Sequence, residues 1–179
     1  MALCGEGSVS WGKFAAAGIE YDLTHLDPFV LRVRPSSPGA PIFAVRVQFG
    51  AHCFTKKSSQ IDSADFRFMD GGKERCFCPI RHERSLDLPS IVKNARSGFA
   101  YTSQRQNYLL VKPDENATPY AVFFDLKAVR SGKYDAVMSV VSAYLKPNLA
   151  TQLPSIPFTA LIARTARGQA IKPGPLRKW

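Results

Sequence analysis

The sequence predicts an α+β fold: a curved antiparallel sheet packed against one main helix, with a basic C-terminal extension. Three observations carry this. Leu88, Ile91, Val92 and Ala95 are spaced as one helix face, and three strand-like runs joined by short polar separators follow them. Two further alternating runs flank a Pro-rich turn earlier in the chain. Lys plus Arg number 24 against 14 Asp plus Glu in 179 residues, a net charge of +10. Such a sheet buries one face on the helix and leaves the other free to carry charge. With 45% apolar residues the chain can fill a core, and its length fits one domain.

Taken in order, residues 1–18 are rich in Gly, Ser and Ala and are expected as a flexible lead, followed by a single α+β domain over 19–146 and a basic arm over 147–179. Phe29 to Arg34 alternates as a strand, Pro35 to Pro41 is a turn cluster, and Ile42 to Phe49 reads as the returning strand. In that second run Phe43, Val45, Val47 and Phe49 share the core side, while Ala44, Arg46 and Gln48 share the other. Gly50 marks a bend before His52-Cys53-Phe54-Thr55, and the polar stretch from Lys56 to Ser63 reads as a loop. Asp70-Gly71-Gly72-Lys73 is a turn that can join short strands at Asp65–Met69 and Glu74–Ile80.

A helix is predicted over Leu86–Arg96, with Ser85 as N-cap, Asp87 and Pro89 in the first turn, and Gly98 as the stop. The runs Tyr108–Lys112, Tyr120–Lys127 and Tyr134–Lys146 come next, separated by Pro113–Asn116 and Arg130–Lys133, which suit antiparallel hairpins. The last run alternates in mixed fashion, with Val137, Ser139, Val141, Ala143 and Leu145 on one side and Met138, Val140, Ser142 and Tyr144 on the other. Beyond Pro147 the pattern decays into Pro154, Pro157, Pro173 and Pro175, with one candidate helix at Phe158–Gln169.

Several function classes find no support. No apolar run approaches the roughly 20 residues of a membrane span. There is no GxxxxGK[ST] phosphate loop, no GxGxxG after a strand and no GxSxG elbow. The N-terminus lacks the basic and apolar regions of a signal peptide, and four cysteines, three of them clustered, fit a reducing compartment, so a cytoplasmic location is expected.

Cys76-x-Cys78-x-x-x-His82, with His52 and Cys53 upstream, offers soft ligands for zinc. Strand rise separates Cys76 and Cys78 by about 7 Å, however, and no CxxC knuckle is present. Buried free cysteines are the favoured reading, so no metal and no cofactor are expected. The excess of cations suits a polyanion held in a salt-dependent way. Metal-free RNA cleavage needs a base for the 2′-hydroxyl, an acid for the leaving oxygen and cations for the phosphorane. His52 and His82 are the candidate acid and base; Arg81, Arg84 and Arg105 are candidates for phosphate; Ser142 and Tyr144 can orient the scissile group. His25 and Thr102 belong to the same pool, and each histidine taken singly is more often structural.

Ile19 to Phe29 (IEYDLTHLDPF), His52-Cys53-Phe54-Thr55, Leu88-Pro89-x-Ile91-Val92 and Ser142-Ala143-Tyr144 together resemble a group of small bacterial proteins, often of phage or other mobile elements. At the level of element order the chain is also similar to barnase-like and RelE-like ribonucleases, which include many toxins. That resemblance implies a cytoplasmic protein that engages RNA, as a metal-independent endoribonuclease toxin in its enzymatic form, with an acidic protein such as an antitoxin or host target as a second partner. Two alternatives stand beside it: a non-enzymatic protein that binds nucleic acid or inhibits a host target, and an assembly protein docking through the tail from Ile171 to Trp179.

Overall fold

Alternation and helix spacing translate into thirteen strands and three α-helices among the described residues of the computed structural model, which are 10–102, 107–111, 118–130, 132–150, 152–172 and 174–179. They are β1 (Lys13–Ala16), β2 (Ile19–Asp22), β3 (Phe29–Val33), β4 (Phe43–Phe49), β5 (Thr55–Lys57), β6 (Arg67–Asp70), β7 (Lys73–Phe77), α1 (Pro79–Ser85), α2 (Leu88–Asn94), β8 (Phe99–Thr102), β9 (Asn107–Val111), β10 (Tyr120–Ala128), β11 (Ala136–Leu145), β12 (Gln152–Pro157), α3 (Phe158–Ala166) and β13 (Leu176–Lys178). The main sheet has eight strands in the order β13-β12-β8-β9-β10-β11-β4-β3 and stays open. It is antiparallel throughout except between β4 and β11, which run parallel. The architecture is α+β: a large, mostly antiparallel sheet, a main helical path from Pro79 to residue 97 and a short C-terminal helix. No helix among the described residues is long and apolar enough to cross a membrane.

The β3–β4 hairpin pairs Phe29 with Val47 and Val33 with Phe43, and the core side of β4 is the one the alternation marks. One core lies between the sheet and the helices: Leu31, Val45, Val122, Phe124, Met138 and Val140 pack with Leu88 and Val92 of α2 and with Phe158, Leu161 and Ile162 of α3. β6 and β7 pair across Asp70–Lys73, but residues 79–80 open a helix instead of extending the strand.

Pro79 stands in the first turn of α1, where a missing N–H costs nothing, and the path breaks at Leu86–Asp87 before Pro89 opens α2 in the same way. Ser85 is therefore not an N-cap. It is the last residue of α1, buried, with its hydroxyl donated to the His82 carbonyl at 2.6 Å. β8 is a strand the pattern did not single out; it pairs with β9 and β12.

β11 departs from strict alternation. Phe123 faces Ser142 and Phe124 faces Val140, so Val141 has no partner across the ladder and forms a bulge. Past it the two faces exchange: Ala143 enters the core, and Ser142 and Tyr144 join Phe123 on the outer face. The segment expected as an arm supplies β12 and β13 to the same sheet and packs α3 into its core. A Cβ at Gly174 would lie 1.8 Å from the Ser155 carbonyl oxygen, so only glycine permits this approach of the tail to β12. The expected turn at Pro113–Asn116 and half of the expected lead, residues 1–9, lie outside the described residues; the other half of the lead holds β1, which pairs with β2 and is no flexible segment.

Candidate functional site

β4 ends at Phe49, and its parallel register with β11, Val140 opposite Phe49, sets the following turn at Ala51–Cys53 beside the β11 bulge. Gly50 donates its N–H to the Val140 carbonyl at 2.8 Å, and the Cys53 thiol lies 3.7 Å from the same oxygen. Between buried Ala51 and Cys53, His52 is left exposed in this turn. Arg81, on α1, reaches across to it: Nη1 donates to the His52 carbonyl at 3.2 Å and to the Thr55 carbonyl at 2.7 Å, and the guanidinium stands 5.8 Å from the centre of the Tyr144 ring. Arg81 thus links the His52 backbone to the Tyr144 ring, although more than ninety positions of sequence separate those two.

Sequence reasoning missed two supporting residues. Arg75 on β7 donates Nε to Thr55 Oγ1 at 2.6 Å, and Thr55 Oγ1 donates to the Ala51 carbonyl at 2.7 Å. Buried Thr55 therefore anchors both arginines beside His52. The only signal for it was its place in His52-Cys53-Phe54-Thr55; Arg75 reads as one more charge on a polar strand. Partial burial, then the Arg75 cation, hold the His52 imidazole below the usual histidine value against the opposing pull of Asp70, with Arg81 and Lys73 adding to the depression. A neutral ring beside two guanidinium groups can accept a proton while the cations hold an oxyanion.

Tyr144 is the open end of an aromatic row that crosses four neighbouring strands. Ring centres are 6.1 Å apart for Tyr101–Tyr108, 5.5 Å for Tyr108–Phe123 and 5.1 Å for Phe123–Tyr144. The first three are buried, with Leu153 and Trp179 packed against them, whereas Tyr144 is 36% exposed. Lys146 Nζ stands 5.1 Å from the Phe123 ring centre, a second cation over the row. Trp179 of the tail thus packs on this chain's own sheet.

The remaining candidates lie elsewhere. His82 follows Arg81 by one residue, roughly 100° round the helix. Its Nε2 donates to the Asp22 carbonyl at 2.9 Å, and its ring sits among Tyr21, Phe77 and His25. It is not part of the His52 group. His25 Nε2 lies 2.8 Å from Ser85 Oγ, but the serine proton goes to the His82 carbonyl, so His25 must donate and Ser85 is not primed as a nucleophile. This cluster fastens α1 to the turn after β2. Arg84 lines a cavity of about 290 Å³ with Asp87, Ile91 and Tyr120, a lining that includes none of Arg81's hydrogen-bond or ring partners. Ser142 is half-buried beside Phe123, Thr102 is buried with an unpartnered hydroxyl, and Arg105 lies outside the described residues.

Among the described residues no group of three or more His, Cys, Asp and Glu could hold a metal ion. Burial pushes the Cys53 thiol up to about 12 and raises that of Cys76, while Cys78 is more accessible. A thiol reagent at pH 8 is expected to modify Cys78 before the other two, with Cys53 protected until the chain unfolds, as peptide mapping of the labelled protein will read.

Burial and the neighbouring His82 likewise hold His25 below the ordinary value, with Asp22 and Asp27 opposing. Folding then favours the neutral ring. The stability this confers is complete above the unfolded value of about 6.5 and is lost as pH falls through the folded values. Urea unfolding is expected to show a falling midpoint between pH 7.5 and 5, and His25→Gln, which keeps a donor near Ser85, to flatten that fall.

No curated protein and no solved structure matches the chain. A family model covers β1 through α3, residues 13–166, which includes the His52, Arg81 and Tyr144 surface; the chain belongs to the YjaZ family.

Proposed function

We propose that this chain is a cytoplasmic, mobile-element-type protein that engages RNA at the surface formed by His52, Arg75, Arg81 and Tyr144. The observation that carries the reading is the Arg81 guanidinium, held by two carbonyls and set over an exposed tyrosine that stacks on Phe123. A guanidinium plane backed by a tyrosine ring offers stacking to any base, and paired cations suit the phosphate beside it. The net charge of +10 adds long-range attraction. Titration of labelled single-stranded RNA tests this: affinity should fall steeply with salt, and Tyr144→Ala should weaken binding by about 1–3 kcal/mol. Binding that is salt-independent, absent, or indifferent to Tyr144 overturns it.

A second reading, metal-independent endoribonuclease of the toxin type, is favoured by the depressed His52 value. Neutral His52 would take the 2′-hydroxyl proton as O2′ attacks phosphorus, Arg75 and Arg81 would hold the phosphorane, and the departing 5′-oxygen would take a proton from Tyr144, leaving a 2′,3′-cyclic phosphate. Cleavage in excess chelator, lost in His52→Ala, supports this reading; intact RNA leaves binding without turnover, as in a nucleic-acid-binding inhibitor.

A further inference from the structure

At the edge of the main sheet, Arg32 and Arg34 of the β3 strand and its exit meet Lys93 and Arg96 from the end of α2 around a cavity of about 400 Å³, together with Ser97 and Thr159. No carboxylate lines it, and none of the three ion pairs among the described residues involves its four cations. Two are fixed in place: Lys93 Nζ stands 5.0 Å from the Phe29 ring centre, and Arg96 Nε donates to the Lys93 carbonyl at 2.9 Å. Lys93 and Arg96 also complement the carbonyl end of their helix. Arg32 and Arg34 have no such role, since they come from a strand. Thr159 belongs to the first turn of α3, where the Phe158 N–H goes to the Gly98 carbonyl at 3.0 Å and the N-cap, Pro157, offers no side-chain partner to the N–H groups that follow. Four like charges gathered around one hollow repel one another, and a multiply charged oxyanion relieves that repulsion while accepting from guanidinium, ammonium and hydroxyl donors.

We infer that this cavity is a second phosphate-binding site, which holds the backbone of the RNA engaged at the His52 surface; it rests on that reading for its ligand. Arg32 faces Ala44 in the hairpin, and the five residue steps from Ala44 to Phe49 span about 17 Å at strand rise, so the two sites lie towards opposite ends of β4. One strand of RNA touching both is anchored at two points and oriented.

The test is the salt dependence of single-stranded RNA binding by the whole chain and by Arg32→Gln/Arg34→Gln, with Lys133→Gln/Lys172→Gln, outside both sites, as a variant of equal charge. The cavity variant should bind at least about tenfold more weakly at low salt, with a log–log slope smaller by about 1.4 for two lost phosphate contacts, whereas the control changes little. Arg32→Lys/Arg34→Lys should recover most of the affinity. Equal loss in the cavity and control variants overturns the second site and leaves the RNA reading standing. Tripolyphosphate separates the two in the other direction: binding that Arg32→Gln/Arg34→Gln loses and Arg81→Gln keeps upholds the cavity even for a chain that takes no RNA. No tripolyphosphate binding by the unaltered chain, or binding that ignores the cavity variant, overturns it.

Discussion

Replacing Arg81 with alanine is expected to weaken RNA binding by about 10- to 100-fold, the effect of removing a charge-assisted contact of about 1.5–3 kcal/mol. The same change takes a donor from the His52 and Thr55 carbonyls and a cation from above Tyr144, so a stability loss of about 1 kcal/mol should accompany it. A third consequence distinguishes this role from mere packing. Arg81 is one of the cations holding His52 below its ordinary value, and its loss should let the imidazole titrate at higher pH, while Arg75 keeps part of the depression. Proton NMR titration of His52 reads this directly. Arg81→Lys keeps the charge but not the planar guanidinium over Tyr144, so it should preserve most of the His52 shift and only part of the binding. Binding unchanged in Arg81→Ala removes Arg81 from the site.

Phe158→Ala is expected to cost about 3–5 kcal/mol, the range for emptying a buried aromatic position. Phe158 opens α3, is fully buried, and meets Phe124 of β10 edge-on with ring centres 6.2 Å apart. Truncation leaves a hole under the middle of the sheet where α3 crosses it. Urea denaturation should show the midpoint shifted down with an unchanged slope, whereas Lys172→Ala, on an exposed position of the same C-terminal segment, should shift it little. A cost below about 1 kcal/mol for Phe158→Ala contradicts the placement of α3 in the core.

What the sequence discloses and what it hides follow from the range of the interactions. β3 and β4 are legible because a hairpin is local and its alternation is unbroken from Phe43 to Phe49. β8 is not, since Phe99 to Thr102 is short and three of its four residues are buried, which leaves no polar face to set the period. The β11 bulge leaves no trace either: Val140, Val141 and Ser142 fit either face, and only the partner strand decides that Val141 is the extra residue. Pro154 and Pro157 make the C-terminal segment look broken. In the fold Pro154 sits where β12 meets the short β13, and Pro157 ends β12 and leads into α3.

The site was half legible for the same reason. His52, Arg81 and Tyr144 have the right chemistry in isolation, but the link that Arg81 makes between the His52 backbone and the Tyr144 ring depends on the parallel pairing of β4 with β11, a contact across some ninety residues with no local signal. His82 carries the same chemistry one residue from Arg81 and is turned by the helix towards Tyr21 and the Asp22 carbonyl instead. Thr55 and Arg75 act through bonds to each other and to Arg81's acceptors, and that kind of role is invisible until the partners are placed.

The central claim, that RNA lies against the exposed end of the aromatic row, is tested most directly by ultraviolet crosslinking of a short single-stranded RNA to the whole chain, followed by peptide mapping of the adduct. A crosslink at Tyr144 is expected, diminished in Arg81→Ala and by added salt. Adducts confined to other parts of the chain, or none at concentrations where the chain is saturated with RNA, contradict it.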